Sequence, residues 1–507
     1  METFEAAQPL DAHNQKLLEN VHPSDWANPV PAGVYNMVVI GAGTAGLVTA
    51  AASAGLGARV ALIERSLLGG DCLNVGCVPS KAIIEAARRA AVIRDSEEFG
   101  ITVPDGVEID FAAVMERMRK LRSDISPHDS ARRFRELGVD VFLGQGKFTS
   151  ANTIEVEGQE LRFKRATIAT GARAAAPPIP GLEEVDYLTN ETLFSLTELP
   201  KRFGIVGAGP IGVEMAQSFA RLGSEVYLVE SSEGILPRED PDAGAAVRRA
   251  LERDGVNVLC CGRDLELGRT EGGGVRMKVD AEGEGYDVEV DRLLVAVGRA
   301  PNVENLGLEE VGIRYGKDGV EVDDRLETSV KGIYAAGDVC SRFKFTHAAD
   351  FMARTVIGNA LFFGRGKASR LVIPWATYSE PEVGHVGLSP REIEEQGIEV
   401  DTFTQDLEGV DRAILAGETD GFVRVHVAKG TDRIVGATAV GPNAGDLIGE
   451  ITLAMAQGIG LARVKDVIHP YPTIADAFRK TGDAYNRTRL TPRAAKLMGK
   501  WFEFLRR

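Results

Sequence analysis

Residues 37 to 64 read MVVIGAGTAGLVTAAASAGLGARVALIE, an apolar strand followed by a glycine turn, a helix and a second strand that ends in an acid. Gly41 permits the tight turn, Gly43 lets the backbone approach a pyrophosphate, and Gly46 lets the helix pack closely on the strand. Phosphates favour the helix N-terminus that comes next, and Glu64 is placed to accept hydrogen bonds from both hydroxyls of an adenosine ribose. The pattern predicts a dinucleotide-binding unit.

The same pattern returns in residues 202 to 230, RFGIVGAGPIGVEMAQSFARLGSEVYLVE, with Gly207, Gly209, Gly212 and a terminal Glu230. Two such units imply two different dinucleotides or one duplicated domain. A protein that holds two dinucleotides together is best explained by electron transfer between them. The alternative is a single enzyme domain beside a degenerate copy, which the intact second pattern disfavours.

Composition limits the remaining possibilities. At 507 residues the chain is long enough for three or four domains. The net charge of −16 argues against a nucleic-acid binder, and five cysteines are too few for a secreted disulfide scaffold. The first 30 residues show no signal peptide, so a cytoplasmic protein is expected. Residues 37 to 58 are uncharged and long enough to cross a bilayer, but their regularly spaced glycines favour a buried strand and helix, so no membrane span is predicted.

Residues 69 to 81 read GGDCLNVGCVPSK, with Cys72 and Cys77 five positions apart. The pair could be a metal site, a structural staple, a chance pair or a redox couple. Positions five apart on a regular helix point about 140° away from each other. Bringing two sulfurs together at this spacing needs a distorted backbone, for which Asn74 and Gly76 offer a place. Zinc motifs use shorter gaps and a second ligand pair, and no such pair is evident, so no metal site is predicted.

Three later segments read as apolar strands that end beside a ligand. They are ATIATGAR (166–173), LLVAVGRAPNV (293–303) and TSVKGIYAAGDVC (328–340). The last ends at Gly337 and Asp338, and a carboxylate at the C-terminal end of a strand can hold a ligand hydroxyl. From about residue 371 the chain changes to short strand-like runs and then helical patterns without a glycine fingerprint, which indicates a separate domain.

The segments GGDCLNVGCVPSK, two GxGxxG units, ATG, GRxPN, YAAGD and HPYPT follow one another along the chain as they do in the flavin-dependent pyridine nucleotide–disulfide oxidoreductases. The chain resembles this family, and most closely its mercuric-reductase-like branch. Dihydrolipoamide dehydrogenase and glutathione reductase belong to the same family. The resemblance implies an α/β fold with two Rossmann-like three-layer domains, for FAD and NAD(P), plus a C-terminal α+β dimerisation domain. It also implies a homodimer in which each active site takes its last residues from the partner chain.

The resemblance gives expected domain bounds. These are an N-terminal arm (1–34), the first part of the FAD domain (35–175), the NAD(P) domain (176–301), the second part of the FAD domain (302–368), the interface domain (369–483) and a basic C-terminal helix (484–507).

The resemblance also assigns roles. Cys72 and Cys77 form a redox-active disulfide, Cys72 as the outer interchange thiol and Cys77 as the inner thiol against the flavin. Lys81 lies near the flavin ring and pairs with Glu214. The implied cofactor-binding positions are Gly41, Gly43, Gly46, Glu64, Gly70, Lys81, Thr170, Gly171, Gly207, Gly209, Gly212, Glu230, Gly298, Arg299, Gly337 and Asp338.

The chain departs from the family pattern at several positions. Asp71 stands where many relatives have threonine, and is expected to cap the following helix rather than face a pyrophosphate. Pro210 replaces the tyrosine that gates the nicotinamide pocket in some relatives. The family motif HxHPTxxE reads HPYPTIAD at 469–476, so Tyr471 takes the place of the general acid–base and Asp476 that of the glutamate. Tyrosine is a poor base at neutral pH, and His469 is expected to be structural.

The C-terminal cysteine pair of mercuric reductases is missing as well. Cys260 and Cys261 are adjacent but belong to a strand end, and they and Cys340 are expected to be packing residues.

The predicted function is therefore an FAD-dependent NAD(P)H oxidoreductase that reduces a disulfide or a thiol-ligated metal ion in the manner of mercuric reductase. Dihydrolipoamide dehydrogenase is the alternative within the class, and a flavoprotein redox sensor without turnover is the alternative outside it. NADH is favoured over NADPH, because Glu230 would repel a 2′-phosphate and Ser231–Ser232 offers no arginine.

Residues 484 to 507 form a basic tail with an aromatic stripe at Trp501, Phe502 and Phe504. The favoured interpretation is that the stripe docks on the protein's own dimer. Membrane association is the alternative.

Overall fold

A computed structural model of the chain describes residues 4–230, 234–260 and 262–507. Its strands are β1 (Val34–Ile40), β2 (Val60–Glu64), β3 (Val139–Leu143), β4 (Lys147–Ser150), β5 (Thr153–Val156), β6 (Gln159–Ile168), β7 (Ala172–Ala174), β8 (Arg202–Val206), β9 (Glu225–Val229), β10 (Val256–Leu259), β11 (Arg263–Arg269), β12 (Val275–Ala281), β13 (Glu284–Val290), β14 (Arg292–Val295), β15 (Arg299–Pro301), β16 (Tyr315–Gly316), β17 (Gly319–Val320), β18 (Ile333–Ala335), β19 (Pro374–Thr377), β20 (Glu382–Gly387), β21 (Val400–Asp406), β22 (Phe422–Ala428) and β23 (Ile434–Gly441).

Its α-helices are α1 (Ala12–Val21), α2 (Thr44–Gly55), α3 (Gly70–Asn74), α4 (Cys77–Arg94), α5 (Phe111–Ile125), α6 (Ala131–Glu136), α7 (Asn190–Leu193), α8 (Pro210–Arg221), α9 (Pro241–Arg253), α10 (Leu308–Val311), α11 (Thr346–Leu361), α12 (Pro390–Glu395), α13 (Asp411–Ala416), α14 (Ala444–Ala456), α15 (Leu461–Val464), α16 (Asp476–Thr488) and α17 (Pro492–Leu505).

These elements form two compact units. In the first, β3, β2, β1 and β6 lie side by side in parallel, β18 joins β6 in parallel, and β5 and β4 extend the sheet antiparallel. Met37 and Val39 of β1 pack into one core cluster, and Val38 and Ile40 into another. Because both faces of this sheet are covered, β1 is apolar at nearly every position rather than alternating.

The second glycine motif also lies on a parallel sheet. In the first unit, β8 pairs in parallel with β9 on one side and with β14 on the other. The antiparallel β11–β12–β13 sheet follows in the same unit. The strand–turn–helix–strand order predicted from each motif is present in both places.

The second compact unit contains an antiparallel sheet of order β19–β20–β23–β22–β21. Helices α14 and α16 cover it, and the core between them includes Val425, Ala437, Ile448 and Phe478. The predicted fold class, with two Rossmann-like sheets and a C-terminal α+β domain, is confirmed. The predicted domain bounds stay predictions.

The N-terminal arm is folded onto the first unit rather than extended. Asp11 caps α1 by accepting a hydrogen bond from the Asn14 backbone N–H at 2.9 Å, and its other carboxylate oxygen contacts Arg119 of α5 at 2.6 Å. Leu17 is fully buried, and the Trp26 indole donates to the Val141 carbonyl. The arm is therefore part of the first unit's core.

Candidate active site

The first glycine turn is closed by the protein's own backbone. Gly41 has a φ of +99°, and a Cβ there would lie 2.3 Å from the Ala169 carbonyl oxygen. A Cβ on Gly46 would lie 1.8 Å from the carbonyl oxygen of Gly41, so close helix–strand packing requires glycine, as predicted.

Glu64 ends β2 in a buried position. Its carboxylate accepts hydrogen bonds from the backbone N–H groups of Ala42 at 2.6 Å and Ser66 at 2.8 Å. Burial raises the pKa of this carboxyl above its ordinary value, although the two hydrogen bonds oppose the shift. Each oxygen keeps a second lone pair with which it can accept from a ligand hydroxyl.

The segment that carries the cysteines lies directly against this turn. Gly70 has a φ of +56°, and a Cβ there would lie 2.6 Å from the Cα of Gly43. The two backbones meet with no room for a side chain. This contact joins the nucleotide-binding turn to the start of α3, so the predicted assignment of Gly70 to the cofactor site remains consistent with the geometry.

Asp71 does not cap the following helix, so that expectation is wrong. It lies inside α3, and its carboxylate accepts a hydrogen bond from the Arg299 guanidinium. Gly76 is the residue before α4, where no side chain caps the helix. Arg299 also lies 3.6 Å from the Asp338 carboxylate, so two carboxylates share one guanidinium. The ion pair determines where Asp71 points, and sequence spacing alone could not show it.

These residues fit FAD, the dinucleotide that the resemblance implies. The turn at Gly41 offers backbone N–H groups at the N-terminus of α2, and Glu64 offers carboxylate oxygens beyond it. The buried Nε of Arg299 has no hydrogen-bond partner among the described residues and could serve a phosphate or hydroxyl. The Asp338 carboxyl, whose pKa is raised by burial, stands beside it.

Thr170 and the nearby glycines lie at the strand ends where they were expected. The Thr170 hydroxyl donates to the Asn302 carbonyl at 2.7 Å. Gly171, Gly298 and Gly337 all adopt positive φ angles, between +69° and +83°. Such turns let the backbone leave a sheet without a side chain blocking the edge, but their contacts with a cofactor stay predictions.

The two cysteines meet across a break between helices. Helix α3 ends at Asn74 and α4 begins at Cys77, so the backbone is distorted where the five-residue spacing required it. A Cβ on Gly76 would lie 2.8 Å from the Asp71 carbonyl oxygen, which makes glycine necessary in the break. No disulfide bond joins Cys72 to Cys77 in this structure, and Cys72 is hydrogen-bonded to Cys77.

The proton distribution in this pair is set by its surroundings. The hydrogen bond with Cys77 and, next, burial raise the pKa of the Cys72 thiol far above its ordinary value. Cys72 therefore keeps its proton while it donates to the Cys77 sulfur. The Cys77 sulfur also lies 3.5 Å from the Thr346 hydroxyl, at the first residue of the 16-residue helix α11. A helix N-terminus favours negative charge on a neighbouring sulfur.

Two residues of this site were not found in the sequence. Thr346 begins a helix without any motif, and Asp129 ends a short 3₁₀ helix (Ser126–Asp129) far from the cysteines in sequence. Asp129 lies beside Gly69, its charge raises the pKa of Cys72, and burial raises the pKa of its own carboxyl. Only the tertiary fold brings either residue to the thiols, so no sequence signal could have identified them.

A buried arginine supports the helix that carries Cys72. Arg122 is fully buried and donates to the Asn74 carbonyl at the end of α3 at 2.6 Å. It also donates to the Asn14 side chain of the N-terminal arm at 2.7 Å. Burial lowers the pKa of Arg122 to about 10. The arm is thereby linked to the end of α3.

Lys81 and Glu214 are described in different compact units, and their pairing stays a prediction. Lys81 lies on α4, one turn beyond Cys77. Glu214 is buried, and its carboxylate accepts a hydrogen bond from the Tyr378 backbone N–H at 3.0 Å. The carboxylate is thus anchored within its own unit.

The second glycine turn is more open than the first. Gly207 has a φ of +105°, and a Cβ there would approach the Ala296 carbonyl oxygen to 2.8 Å. By contrast, a Cβ on Gly209 would meet no atom of the described residues within 4 Å. Pro210 begins α8, as its ring and missing N–H permit. The assignment of Gly212 to the coenzyme site stays a prediction.

Glu230 follows β9, and its carbonyl accepts a hydrogen bond from the Gly262 N–H at 2.7 Å. Ser231 and Ser232, on which the coenzyme preference also depends, lie outside the described residues. The preference for NADH is therefore still a prediction.

The C-terminal motif separates into a buried histidine and an exposed tyrosine. The His469 side chain is 6% exposed; its two ring nitrogens lie 3.0 Å from the Glu450 carboxylate and 3.0 Å from the Val467 carbonyl oxygen. Tyr471 is 77% exposed and donates to the Asp411 carboxylate at 2.7 Å. That hydrogen bond raises the pKa of the phenol above its ordinary value. Such a geometry suits a structural histidine and a tyrosine that retains its proton.

Asp476 does not orient Tyr471. Its carboxylate contacts Arg479 at 2.6 Å and Lys480 at 3.5 Å, both on its own helix α16. These ion pairs lower the pKa of Asp476. The tyrosine is instead held by Asp411, which the motif did not indicate.

Of the other three cysteines, the structure describes Cys260 and Cys340. Cys260 is buried, and burial raises the pKa of Cys340 to about 12. Cys261 lies outside the described residues. Within the described ranges, no group of three or more His, Cys, Asp or Glu side chains is arranged to hold a metal ion. Nor does any helix in the described part of the chain have the length and apolar content needed to span a membrane.

Comparison with known proteins shows which families share this sequence. The family model "Pyridine nucleotide-disulphide oxidoreductase" matches residues 35–353, and the model of that family's dimerisation domain matches residues 373–481. The mercuric reductase of Lysinibacillus sphaericus is 36% identical over 446 residues, covering 88% of this chain and 81% of the relative. The dihydrolipoyl dehydrogenase of Geobacillus stearothermophilus is 34% identical over 450 residues, covering 87% and 93%.

Two solved structures have a similar fold. The HOCl-induced flavoprotein disulfide reductase RclA from Escherichia coli superposes with a TM-score of 0.76 at 28% identity, covering 88% of this chain and 99% of that one. The Cu(II) complex of that protein superposes with a TM-score of 0.77 at 27% identity, covering 89% and 100%.

Proposed function

Because the chain belongs to the pyridine nucleotide-disulphide oxidoreductase family, we propose that it takes electrons from NAD(P)H through FAD into a Cys72–Cys77 disulfide. The resulting dithiol would reduce an organic disulfide or a thiol-ligated metal ion, in a homodimer built through the dimerisation domain. The observation that carries this proposal is the contact between the two thiols at the break between α3 and α4. Metal reduction is the favoured activity, as in mercuric reductase.

FAD, when bound, supplies two-electron transfer between a nicotinamide and a disulfide. The chain's own residues determine where the proton and the negative charge then lie. Reduction breaks the Cys72–Cys77 bond, and the hydrogen bond between the sulfurs keeps a proton on Cys72. Negative charge then rests on Cys77, beside the Thr346 hydroxyl and the N-terminus of α11.

With a disulfide substrate, the Cys72 sulfur attacks one substrate sulfur, and the Cys72 proton passes to the substrate thiolate that leaves. A mixed disulfide forms and one substrate thiol leaves. The Cys77 sulfur then attacks the Cys72 sulfur, which releases the second substrate thiol and re-forms the Cys72–Cys77 bond. Each leaving thiolate must be protonated, and this step normally uses a general acid.

That acid is missing at its family position. Tyr471 already donates to Asp411 and has a raised pKa, so it is a weak acid and cannot act as a base near pH 7. Organic disulfides should therefore be reduced slowly. A soft metal ion binds thiolates directly and needs no such proton, while a phenol can still act as a ligand or hydrogen-bond donor.

Two relatives bear on the choice of substrate. A mercuric reductase and a dihydrolipoyl dehydrogenase match the chain about equally well, so overall identity does not separate them. The Cu(II) complex of RclA supports metal chemistry on this architecture. The absence of the family's histidine at position 471 is what favours the metal over lipoamide. A redox sensor without turnover is the remaining alternative.

The test is to measure NAD(P)H oxidation with mercuric thiolates, lipoamide and glutathione disulfide as acceptors. We expect multiple turnovers with mercuric ion, at a rate that exceeds lipoamide turnover. Lipoamide turnover on the order of 10² s⁻¹, typical of efficient enzymes, would overturn the proposal and restore the dehydrogenase. A single turnover with every acceptor would favour the sensor.

Variants at position 471 sharpen this test. Tyr471→Phe should lose mercuric activity, whereas Tyr471→His should raise lipoamide turnover by up to about 10²-fold, because a general acid is restored. The matched control is Tyr315→Phe, which removes another phenol hydrogen-bonded to a carboxylate, that of Glu309. That variant should change neither activity.

A further inference from the structure

The last helix of the chain, α17, is not packed into either compact core. It begins at Pro492 after Thr491, whose side chain caps it, and ends at Leu505. None of its residues is buried. The family matches cover residues 35–353 and 373–481, so neither the oxidoreductase domain nor its dimerisation domain accounts for α17.

One face of α17 is apolar and exposed. At about 100° per residue, six large apolar side chains fall within an arc of about 160°. Between 51% and 70% of the surface of each is exposed, and Trp501 stacks on Phe504 with ring centroids 5.9 Å apart. The six are Leu497, Met498, Trp501, Phe502, Phe504 and Leu505. An apolar surface of this size on a short helix indicates something that covers it.

The polar side of the helix is mainly basic. Arg493, Lys496 and Lys500 lie within about 60° of one another, and each is about 100° to 160° away from the centre of the apolar arc. Residues 484–507 contain seven basic residues and one acid, whereas the rest of the chain holds 51 basic against 73 acidic residues. The net charge of residues 484–507 is therefore about +6, in a protein whose net charge is −16.

We propose that α17 binds the surface of an anionic lipid bilayer, lying in the interface with its apolar face toward the acyl chains. Helices with this division, Trp, Phe and Leu on one face and Lys and Arg on the other, insert a short distance below the headgroups. The basic face supplies attraction to anionic lipid, and the apolar face supplies burial. Helix α17 therefore carries both the basic and the apolar residues that such binding needs. The rest of the chain is acidic and would be held away from the bilayer surface.

The rival occupant is a second copy of this chain, which the sequence alone favours. Two observations favour the bilayer instead. The matched dimerisation domain ends at residue 481, eleven positions before α17 begins, so the helix lies outside the domain through which the family is matched as a dimer. Lysine is also depleted at protein–protein interfaces, whereas basic residues beside an apolar stripe are what an anionic lipid surface selects.

The experiment uses the full chain and sedimentation with lipid vesicles. We expect the protein to sediment with vesicles that contain phosphatidylserine and to stay in solution with pure phosphatidylcholine. Tryptophan fluorescence should move to shorter wavelength on binding, and Trp501→Phe should remove most of that shift. High salt should weaken the binding, because the electrostatic part is screened.

Charge variants give the matched control. Each basic residue near an anionic surface strengthens binding about fivefold, so Lys496→Glu with Lys500→Glu should weaken it at least 20-fold. Lys317→Glu with Lys331→Glu changes the net charge equally at exposed positions elsewhere, and should have little effect.

Two results would overturn the proposal. Equal sedimentation with neutral and anionic vesicles would remove the role of the basic face. Absence of vesicle binding, together with a dimer that becomes a monomer in Trp501→Ser with Phe504→Ser, would assign the face to a second copy. Flavin content and NAD(P)H oxidation should be unchanged in all these variants, which separates this proposal from the proposed activity.

Discussion

The two glycine turns share one sequence pattern but differ in how the protein surrounds them. At the first, the backbone of Gly70 in the cysteine segment is in close contact with that of Gly43. Glu64 is buried there, and its carboxylate accepts two backbone hydrogen bonds. At the second, Gly209 faces open space within the described part of the chain, and the residue that follows the strand, Glu230, is only partly buried.

The different surroundings of the two turns explain how one motif could serve two kinds of dinucleotide. A turn that is closed by neighbouring backbone suits a cofactor that is bound once and retained. A turn with an open face suits a coenzyme that must enter and leave in each catalytic cycle. On the proposed assignment of FAD to the first turn and NAD(P)H to the second, the glycines would contact phosphates in both, and the surrounding chain would decide how long each ligand stays.

The largest expected effect comes from adding one methyl group to each turn. Gly70→Ala places a Cβ against the Gly43 backbone at 2.6 Å, so FAD binding should weaken about 10- to 100-fold. Gly209→Ala meets no described protein atom within 4 Å, and should keep its FAD while the KM for NAD(P)H rises. Flavin absorbance of the purified protein and steady-state kinetics measure the two effects.

Far-UV circular dichroism should show that both variants fold. If Gly209→Ala lost its flavin and Gly70→Ala kept it, the two turns would have been assigned to the wrong dinucleotides.

A smaller effect is expected in the choice of coenzyme. Glu230 should repel the 2′-phosphate of NADPH, so kcat/KM should favour NADH by about tenfold. Glu230→Gln should reduce this preference, because the repulsive charge is removed. The corresponding change at the closed turn, Glu64→Gln, should affect FAD content and leave the coenzyme preference unchanged. A tenfold preference for NADPH in the unmodified protein would contradict the assignment.

The smallest effect concerns the ion pair beside the closed turn. Asp71 occupies the Arg299 guanidinium, which Asp338 also approaches. Asp71→Thr removes one negative charge near the expected pyrophosphate and leaves Arg299 available to it. FAD should then bind about 3- to 5-fold more tightly, as measured by flavin fluorescence during titration. Weaker binding would mean that Asp71 is needed to position Arg299.

The sequence predicted the parts of the site that depend on local geometry. Gly41, Gly46 and Gly76 are required by close backbone contacts, and such requirements leave a glycine at a fixed offset. The break between α3 and α4 was likewise predicted, because a five-residue spacing cannot bring two sulfurs together on a regular helix.

Contacts between distant segments could not be predicted in the same way. Asp71 was expected to cap a helix, but Arg299 lies more than two hundred residues further along the chain and holds its carboxylate. Thr346, Asp129 and Asp411 reach their partners only through the fold, so no local pattern marks them.

The most direct test of the central claim is a reductive titration of the FAD-loaded protein, monitored by absorbance. Addition of two electrons should produce a long-wavelength thiolate–flavin band, because Cys77 is expected to lie against the flavin ring. Cys77→Ser should abolish the band. Cys72→Ser should show the band before any reduction, because no Cys72–Cys77 disulfide can form and Cys77 remains a thiolate. If neither substitution alters the spectrum, Cys72 and Cys77 are not the redox pair.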